Sequence, residues 1–274
     1  MTTTTKLLEA VRKTAKYGHI SQTLIRQLLE RELQAGRRPK EAVKAVKNKL
    51  HQIAGAYFHG KVRYDDLLTD LQQAVQSGQP EALQTTCRRL MAVHASTRER
   101  LPILEQFYRT TLADLGPIRS VLDLACGFNP LTRPWLPLAP DGIYYACDIY
   151  RDLIEFLTAY FSLAGIQGRA WVCDVSSTVP EETVDLALVL KLLPVLDQVE
   201  KSAGLNLLRG LQANYMLVSF PVRSLGGRDK GMVENYEAKL RALVEAEGWP
   251  IKRFQFETEL AFLISKGKRS APPV

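Results

Sequence analysis

Ser120-Val-Leu-Asp-Leu-Ala-Cys-Gly-Phe-Asn-Pro130, followed by Ile143-Tyr-Tyr-Ala-Cys-Asp148, decides the reading of most of the chain. An apolar, β-branched run breaks at Gly127, and a second apolar run ends in the carboxyl group of Asp148. Glycine at the first turn lets backbone approach a ligand closely. An acid about 20 residues later can accept hydrogen bonds from a ribose diol. A dinucleotide fold would place G-x-G-x-x-G here, to seat a pyrophosphate on a helix N-terminus. This chain has Ala125-Cys-Gly127-Phe-Asn-Pro instead, with one glycine and a proline. That turn suits a nucleoside without a pyrophosphate, such as S-adenosylmethionine (SAM), better than NAD.

Downstream of residue 117 apolar strand patterns alternate with helical ones. Strands are expected at Ser120–Ala125, Ile143–Ile149, Ala170–Val175, Val184–Leu190, Tyr215–Phe220, Phe254–Glu257 and Leu260–Ser265. Helices are expected at Tyr150–Ala164, Val195–Leu211 and Met232–Glu247. Apolar strands alternating with helices indicate a mostly parallel sheet covered on both faces. The short final pair suits an antiparallel hairpin at one edge. The expected fold class is therefore α/β, a Rossmann-like SAM-dependent methyltransferase sheet of seven strands behind a small all-helical N-terminal domain. The domains are expected at residues 1–92 and 93–274.

The first 92 residues carry helical periodicity and no strand pattern. Leu24, Ile25, Leu28, Leu29 and Leu33 recur at helical spacing. Gly36 ends that helix, and Pro39 suits the start of the next, in which Val43, Val46, Leu50, Ile53 and Tyr57 form one stripe. Lys40, Lys44, Lys47 and His51 fall together on its flank at about 100° per residue. Tyr64 to Ala74 reads as a third helix, and a fourth opens at Pro80 and runs towards Met91.

Charge sharpens this division. The net charge of the 274 residues is +7, yet residues 1–63 hold 14 Lys and Arg against four Asp and Glu. The remainder holds 22 against 25, so the basic excess lies entirely in the N-terminal quarter. Such asymmetry points to a polyanion, most simply nucleic acid, with a merely solubilising basic surface as the other reading. Lys13, Lys16, Lys40, Lys44 and Lys47 are the expected RNA contacts on this module. No run approaches the roughly 20 apolar residues of a membrane span, and the N-terminus lacks the apolar core of a signal peptide. Cys87, Cys126, Cys147 and Cys173 form no C-x-x-C pair, so they read as small residues in a reducing cytoplasm, with no metal expected.

In an open α/β sheet, ligands bind beyond the C-terminal strand ends at the topological switch point. This rule gathers Ala125 and Gly127 after the first strand, Asp148 and Ile149 after the second, and Asp174 and Val175 after the third. Lys191, Leu192 and Pro194 follow the fourth. Asp148 is placed for a ribose diol and Asp174 for an adenine amino group. Either could instead cap a helix. In His94-Ala-Ser-Thr-Arg-Glu-Arg100, Ser96 or Thr97 could cap the following helix, and Arg100 could clamp the methionine carboxylate of SAM. Leu192 and Gln198 complete the expected cofactor set with His94. After the fifth strand, Ser219-Phe-Pro-Val-Arg-Ser-Leu-Gly-Gly-Arg228-Asp-Lys-Gly231 brings Arg223, Arg228 and Lys230 to the mouth of the same pocket, as a phosphate clamp or a plain surface loop.

Four blocks carry a family resemblance: His94-Ala-Ser-Thr-Arg-Glu-Arg100, Val121-Leu-Asp-Leu-Ala-Cys-Gly-Phe-Asn-Pro-Leu131, Leu190-Lys-Leu-Leu-Pro194 and Ser219 to Met232. In this order they resemble the aminoglycoside-resistance 16S rRNA guanine-N7 methyltransferases, the Arm family, over nearly the whole chain. The resemblance implies SAM-dependent methylation of one guanosine N7 in the decoding-site helix of the 30S subunit, which blocks aminoglycosides of the gentamicin and kanamycin type. It further implies that Asp174, Lys191, Asp197 and Arg228 serve cofactor binding, target positioning or activity. The family can have Glu at the position of Asp197. Whether the chain serves self-protection or housekeeping is left open by its motifs.

The chemistry is consistent with the residues. Guanine N7 carries an in-plane lone pair and no proton, so methyl transfer needs alignment rather than a general base. Lys191-Leu-Leu-Pro194 replaces the Asn/Asp-Pro-Pro-aromatic block usual for adenine-N6 transfer, and no Cys is present there for cytosine-C5 chemistry. N7 lies in the narrow major groove of A-form RNA, so access requires an unstacked base. Three other readings stay open at this stage: a different rRNA target, an RNA-binding protein with a vestigial cofactor fold, and a distant NAD-linked oxidoreductase.

Overall fold

The computed structural model describes residues 3–55, 57, 62–200, 202–222 and 232–267. Seven helices come first: α1 (Thr3–Arg12), α2 (Gln22–Gln34), α3 (Pro39–Leu50), α4 (Tyr64–Gln76), α5 (Pro80–Met91), α6 (Ala95–Arg100) and α7 (Leu104–Thr111). The α/β part follows with β1 (Ile118–Leu124), β2 (Leu138–Asp148), α8 (Arg151–Leu163), β3 (Gly168–Val172) and β4 (Val184–Leu190). It continues with α9 (Leu193–Val199), α10 (Ala203–Gly210), β5 (Ala213–Pro221), α11 (Met232–Ala246), β6 (Ile251–Gln255) and β7 (Glu259–Ser265).

The strands form one sheet in the order β3-β2-β1-β4-β5-β7-β6. All its neighbouring pairs are parallel except those made by β7, which runs antiparallel to both β5 and β6. The expected seven strands and final hairpin are thus present. Strand order reverses between β1 and β4, which sets the switch point there.

Period-two side-chain alternation explains why β4 reads as a continuous apolar run. Leu186, Leu188 and Leu190 face the layer of α4, α5, α7 and α8, while Ala187 and Val189 face α9, α10 and α11. Asp185 is the one polar residue of the strand, and its carboxylate accepts from the Arg119 and Ser120 N–H groups of β1.

The helical region divides by its packing. Leu8, Val11, Ile25, Leu29, Val46 and Leu50 form a separate core. Helices α4 and α5 instead contribute Leu71, Cys87, Leu90 and Met91 to the core beneath the sheet. Two expectations need correction. Val195–Leu211 is two helices, because the backbone of Glu200 is extended at φ −156° and ψ 131° and breaks the helical run. The N-cap position of α6 is His94, without a side-chain cap hydrogen bond, so Ser96 and Thr97 lie inside the helix, where the Thr97 hydroxyl donates back to the carbonyls of Met91 (2.6 Å) and His94 (3.1 Å).

β3 approaches β2 closely at Gly168, opposite Tyr144. Its φ is +141°, and an added Cβ would lie 1.9 Å from the Tyr144 carbonyl oxygen. At Gly165, with φ +64°, an added Cβ meets nothing within 4 Å. Gly165→Ala is therefore expected to cost only the left-handed backbone penalty of about 1–2 kcal/mol. Gly168→Ala should lower the melting temperature well beyond that. Equal losses in thermal denaturation would show that strand approach does not demand glycine at 168.

Candidate active site

β1 and β4 end in left-handed turns that open a cleft at the switch point. Ala125 (φ +48°), Gly127 (φ +50°) and Lys191 (φ +57°) supply the unusual backbone. Non-glycine residues in this region are sustained only where their surroundings over-determine them. Here the Cys126 N–H donates to the Cys147 carbonyl at 3.0 Å, and the Lys191 N–H donates to the Ser219 carbonyl at 2.9 Å. Gly127 has a second constraint, because a Cβ there would come within 2.7 Å of the His94 ring.

The cleft is partly open to solvent. Asp148 ends β2 with its carboxylate nested in backbone donors: Gly127 N–H at 2.9 Å, Ile149 N–H at 2.7 Å and Tyr150 N–H at 3.3 Å. Burial pushes its pKa up, opposed by these N–H groups. Asp174 accepts from the Ser176 N–H (3.1 Å) and hydroxyl (2.6 Å), a local turn that ends β3 earlier than expected and sets the carboxyl on the cleft wall. Ile149, Val175, Leu192 and Leu196 give the cleft apolar walls, and Leu24, Ile53 and Tyr57 of the N-terminal region also line it.

His94, Arg100, Ala125, Asp148, Ile149, Asp174, Val175, Lys191 and Leu192 all line this one cleft. The His94 ring stacks on Tyr57 (centroids 5.5 Å apart). Its pKa falls to about 3, through burial and then the charges of Lys191 and Arg100, so the ring is neutral. Asp197 and Gln198 lie elsewhere. Asp197 faces a neighbouring cleft between α9, α10 and α11 and pairs with Lys239 at 3.2 Å. Gln198 is absent from the cofactor-cleft lining, and its carbonyl accepts from Lys49 Nζ. On the basic face, Lys13, Lys16, Lys40 and Lys44 are exposed and Lys47 is half-buried. Lys16 Nζ meets His51 Nδ1 at 3.1 Å, which joins it to the end of α3. Arg223, Arg228 and Lys230 lie outside the described residues.

A buried polar network behind the cleft went unread in the sequence. Arg100 (1% exposed) binds Glu259 (0% exposed) through Nε at 3.0 Å and a terminal nitrogen at 2.7 Å. Its other terminal nitrogen donates to Asn129 Oδ1 at 2.7 Å. Glu259 also accepts from Ser219 Oγ at 2.5 Å and lies 3.5 Å from Lys191 Nζ. Burial alone would raise the Glu259 pKa, but Arg100 and Lys191 hold it below the ordinary value. Lys191 Nζ further donates to Glu99 (2.8 Å) and the Ser96 carbonyl (3.2 Å). Asn129 Nδ2 and Tyr144 Oη donate to Asp123 at 2.9 and 2.7 Å. Asn129 stood in plain view within Gly127-Phe-Asn-Pro. The signal for Glu259 was a single charge opening the apolar run Leu260 to Ile264.

This sheet order, with a carboxylate-lined cleft at its switch point, defines a Rossmann-like methyltransferase. The chain belongs to the ribosomal RNA methyltransferase (FmrO) family, whose profile matches residues 13–263. It is 39% identical over 264 residues to a 16S rRNA (guanine(1405)-N(7))-methyltransferase of Frankia casuarinae, covering 95% of this chain and 93% of that one. A protein of the same name from Micromonospora rosea is 35% identical, with 95% and 96% covered. The crystal structure of 16S rRNA methyltransferase RmtF in complex with S-adenosyl-L-homocysteine superposes with a TM-score of 0.79 at 29% identity, covering 96% and 97%.

Asp123 offers a pH test of the network. Burial pushes its pKa from 3.8 up to about 7, against the lowering effects of Asn129, Tyr144 and Arg100. The folded carboxyl keeps its proton where the unfolded one has lost it, so its contribution to stability is largest in acid. That contribution declines as pH rises from 3.8 towards 7. Across this window the melting temperature of Asp123→Asn should gain on that of the wild type, then level off. A difference that is constant with pH would mean that Asp123 does not titrate there.

Proposed function

We propose that this protein transfers the methyl group of SAM to N7 of a guanosine in the decoding-site helix of 16S rRNA, acting on the 30S subunit in the cytoplasm, and thereby confers aminoglycoside resistance. The observation that carries this reading is the pair of carboxylates, Asp148 and Asp174, opening on one cleft beside the left-handed turns at Ala125 and Lys191. The family's relatives named above support the reaction and the atom methylated.

The cleft's donor set fits SAM. Asp148, held by three backbone N–H groups, would take the ribose diol, and Asp174 the adenine amino group. Ile149, Val175 and Leu192 would sandwich the base between apolar walls, and backbone at Ala125 would approach the nucleoside closely, with Gly127 proposed to support that turn from beside the cleft. His94 and Arg100 sit at the other end of the cleft, suited to the methionine portion. Glu259 and Asn129 engage three of the five guanidinium N–H groups of Arg100. Bound SAM would supply a methyl group made electrophilic by its sulfonium.

The residues of the chain then have one main task, alignment. N7 attacks through a lone pair and releases no proton, so the neutral His94 and the ion-paired Lys191 need not act as bases. Lys191 and Arg228 are proposed to position the target, with Asp197 and Gln198 on α9 acting from beside the cleft. The helical region 1–92 is proposed as the docking domain, with Lys13, Lys16, Lys40, Lys44 and Lys47, joined by Arg223, Arg228 and Lys230, against rRNA phosphates. Residues 93–274 would hold the chemistry.

The decisive experiment maps methylation of 16S rRNA by mass after incubation with labelled SAM. Modification of one guanosine N7 on assembled 30S subunits, with little on naked 16S rRNA, is the expected result, since the basic residues are spread over α1 and α3 rather than gathered round a single-strand platform. Equal rates on both substrates would defeat the surface-recognition reading. Asp148→Ala should weaken SAM binding by roughly 1–3 kcal/mol, the scale for losing a buried charged hydrogen bond. Unchanged affinity in the folded variant would remove Asp148 from the site.

A further inference from the structure

Arg31 and Lys49 belong to the basic N-terminal region, yet the structure turns both of them inward on the molecule. Arg31 of α2 donates to the Val199 carbonyl at 3.2 Å and to Glu200 Oε2 at 2.5 Å. Lys49 of α3 donates to the Gln198 carbonyl. Both therefore hold the C-terminal end of α9. The last carbonyls of a helix have no partner within it and attract cations. α9 has no basic residue of its own in its last turn, so these caps come from the N-terminal region.

α9 is also a wall of the cofactor cleft, through Val195, Leu196 and Val199. Val195 and Val199 pack in addition against the N-terminal core. The opposite wall is joined to the same region by main chain: the Ser21 N–H donates to the Ile149 carbonyl at 2.8 Å, and the Arg151 N–H to the His19 carbonyl at 2.9 Å. The N-terminal region thus spans the cleft from the end of β2 to α9.

We propose that Arg31 and Lys49 are positioning residues for methyl transfer, holding α9 against the cofactor, rather than phosphate contacts. This rests on the reading of the cleft as the SAM site. Arg31 and Glu200 are each close to half exposed, and an exposed pair of that kind contributes little by itself. The two backbone carbonyls are what give the clasp its hold on the helix.

Two readouts separate the alternatives in the full-length protein. Calorimetric titration with S-adenosylhomocysteine should show affinity falling roughly tenfold in Arg31→Ala/Lys49→Ala, the combined scale of two helix-terminal cations. Arg31→Lys/Lys49→Arg should restore most of it, because the charges return. The log–log salt slope of 30S binding should stay at the wild-type value. Neutralising Lys40, Lys44 and Lys47 should do the reverse, lowering that slope by roughly 0.7–0.9 per lost phosphate contact while S-adenosylhomocysteine affinity holds. Should the double variant fail to fold, Arg31→Gln and Lys49→Met singly carry the same comparison. Unchanged S-adenosylhomocysteine affinity in the clasp variants overturns the proposal, whether or not the salt slope falls. Absence of binding in the wild type itself would instead overturn the reading of the cleft, and the clasp's role with it.

Discussion

The Arg100–Glu259 pair joins the helix that leads into the sheet to the strand that completes it, and both partners are shut off from water. A buried ion pair stabilises little on balance, because desolvating two charges offsets most of their attraction. Its consequence is geometric. Every neighbour is chosen to satisfy the pair: Ser219 from β5, Asn129 from the turn after β1, and Lys191 from the turn after β4. Removing one partner would leave the other as an uncompensated charge, a loss of about 3–5 kcal/mol. The network is therefore satisfied as a whole or not at all. Its members sit immediately behind the cleft, so the demand for satisfaction fixes the cleft's rear wall.

The strained turns in front depend on that wall. Ala125 and Lys191 both adopt left-handed backbone, at a cost of roughly 1–2 kcal/mol per residue. Lys191 is held there by main-chain and hydroxyl contacts from Ser219 and by its ammonium contacts with Glu99 and Ser96. Gly127 is held by Asp148, which uses the same carboxylate to organise the start of α8. Strain at the ends of β1 and β4 coincides with the reversal in strand order, where a ligand can enter between loops that diverge.

The N-terminal region adds the third side. Its own core covers residues 8 to 53, and its contacts with Ile149, Tyr150, Val195 and Val199 close the cleft from above. The basic face and one wall of the cleft thus belong to one structural unit.

Sequence alone determined the sheet and much of the cleft. Short, β-branched apolar runs such as Val184–Leu190, alternating with helical patterns, indicated strands covered on both faces, and the strand-end rule collected Asp148, Asp174 and Lys191. The basic excess before residue 64 was equally plain. Tertiary structure alone decided the rest. Glu259 is 159 residues from Arg100, and no local pattern links a guanidinium in a helix to a carboxylate in the last strand. The break in α9 at Glu200, the placement of Asp197 on a neighbouring cleft, and the turning inward of Arg31 and Lys49 are also long-range outcomes. Periodicity reports which face of an element is apolar. It does not report which distant polar group will satisfy a buried charge, because that partner is chosen by the packing of whole elements and not by spacing along the chain.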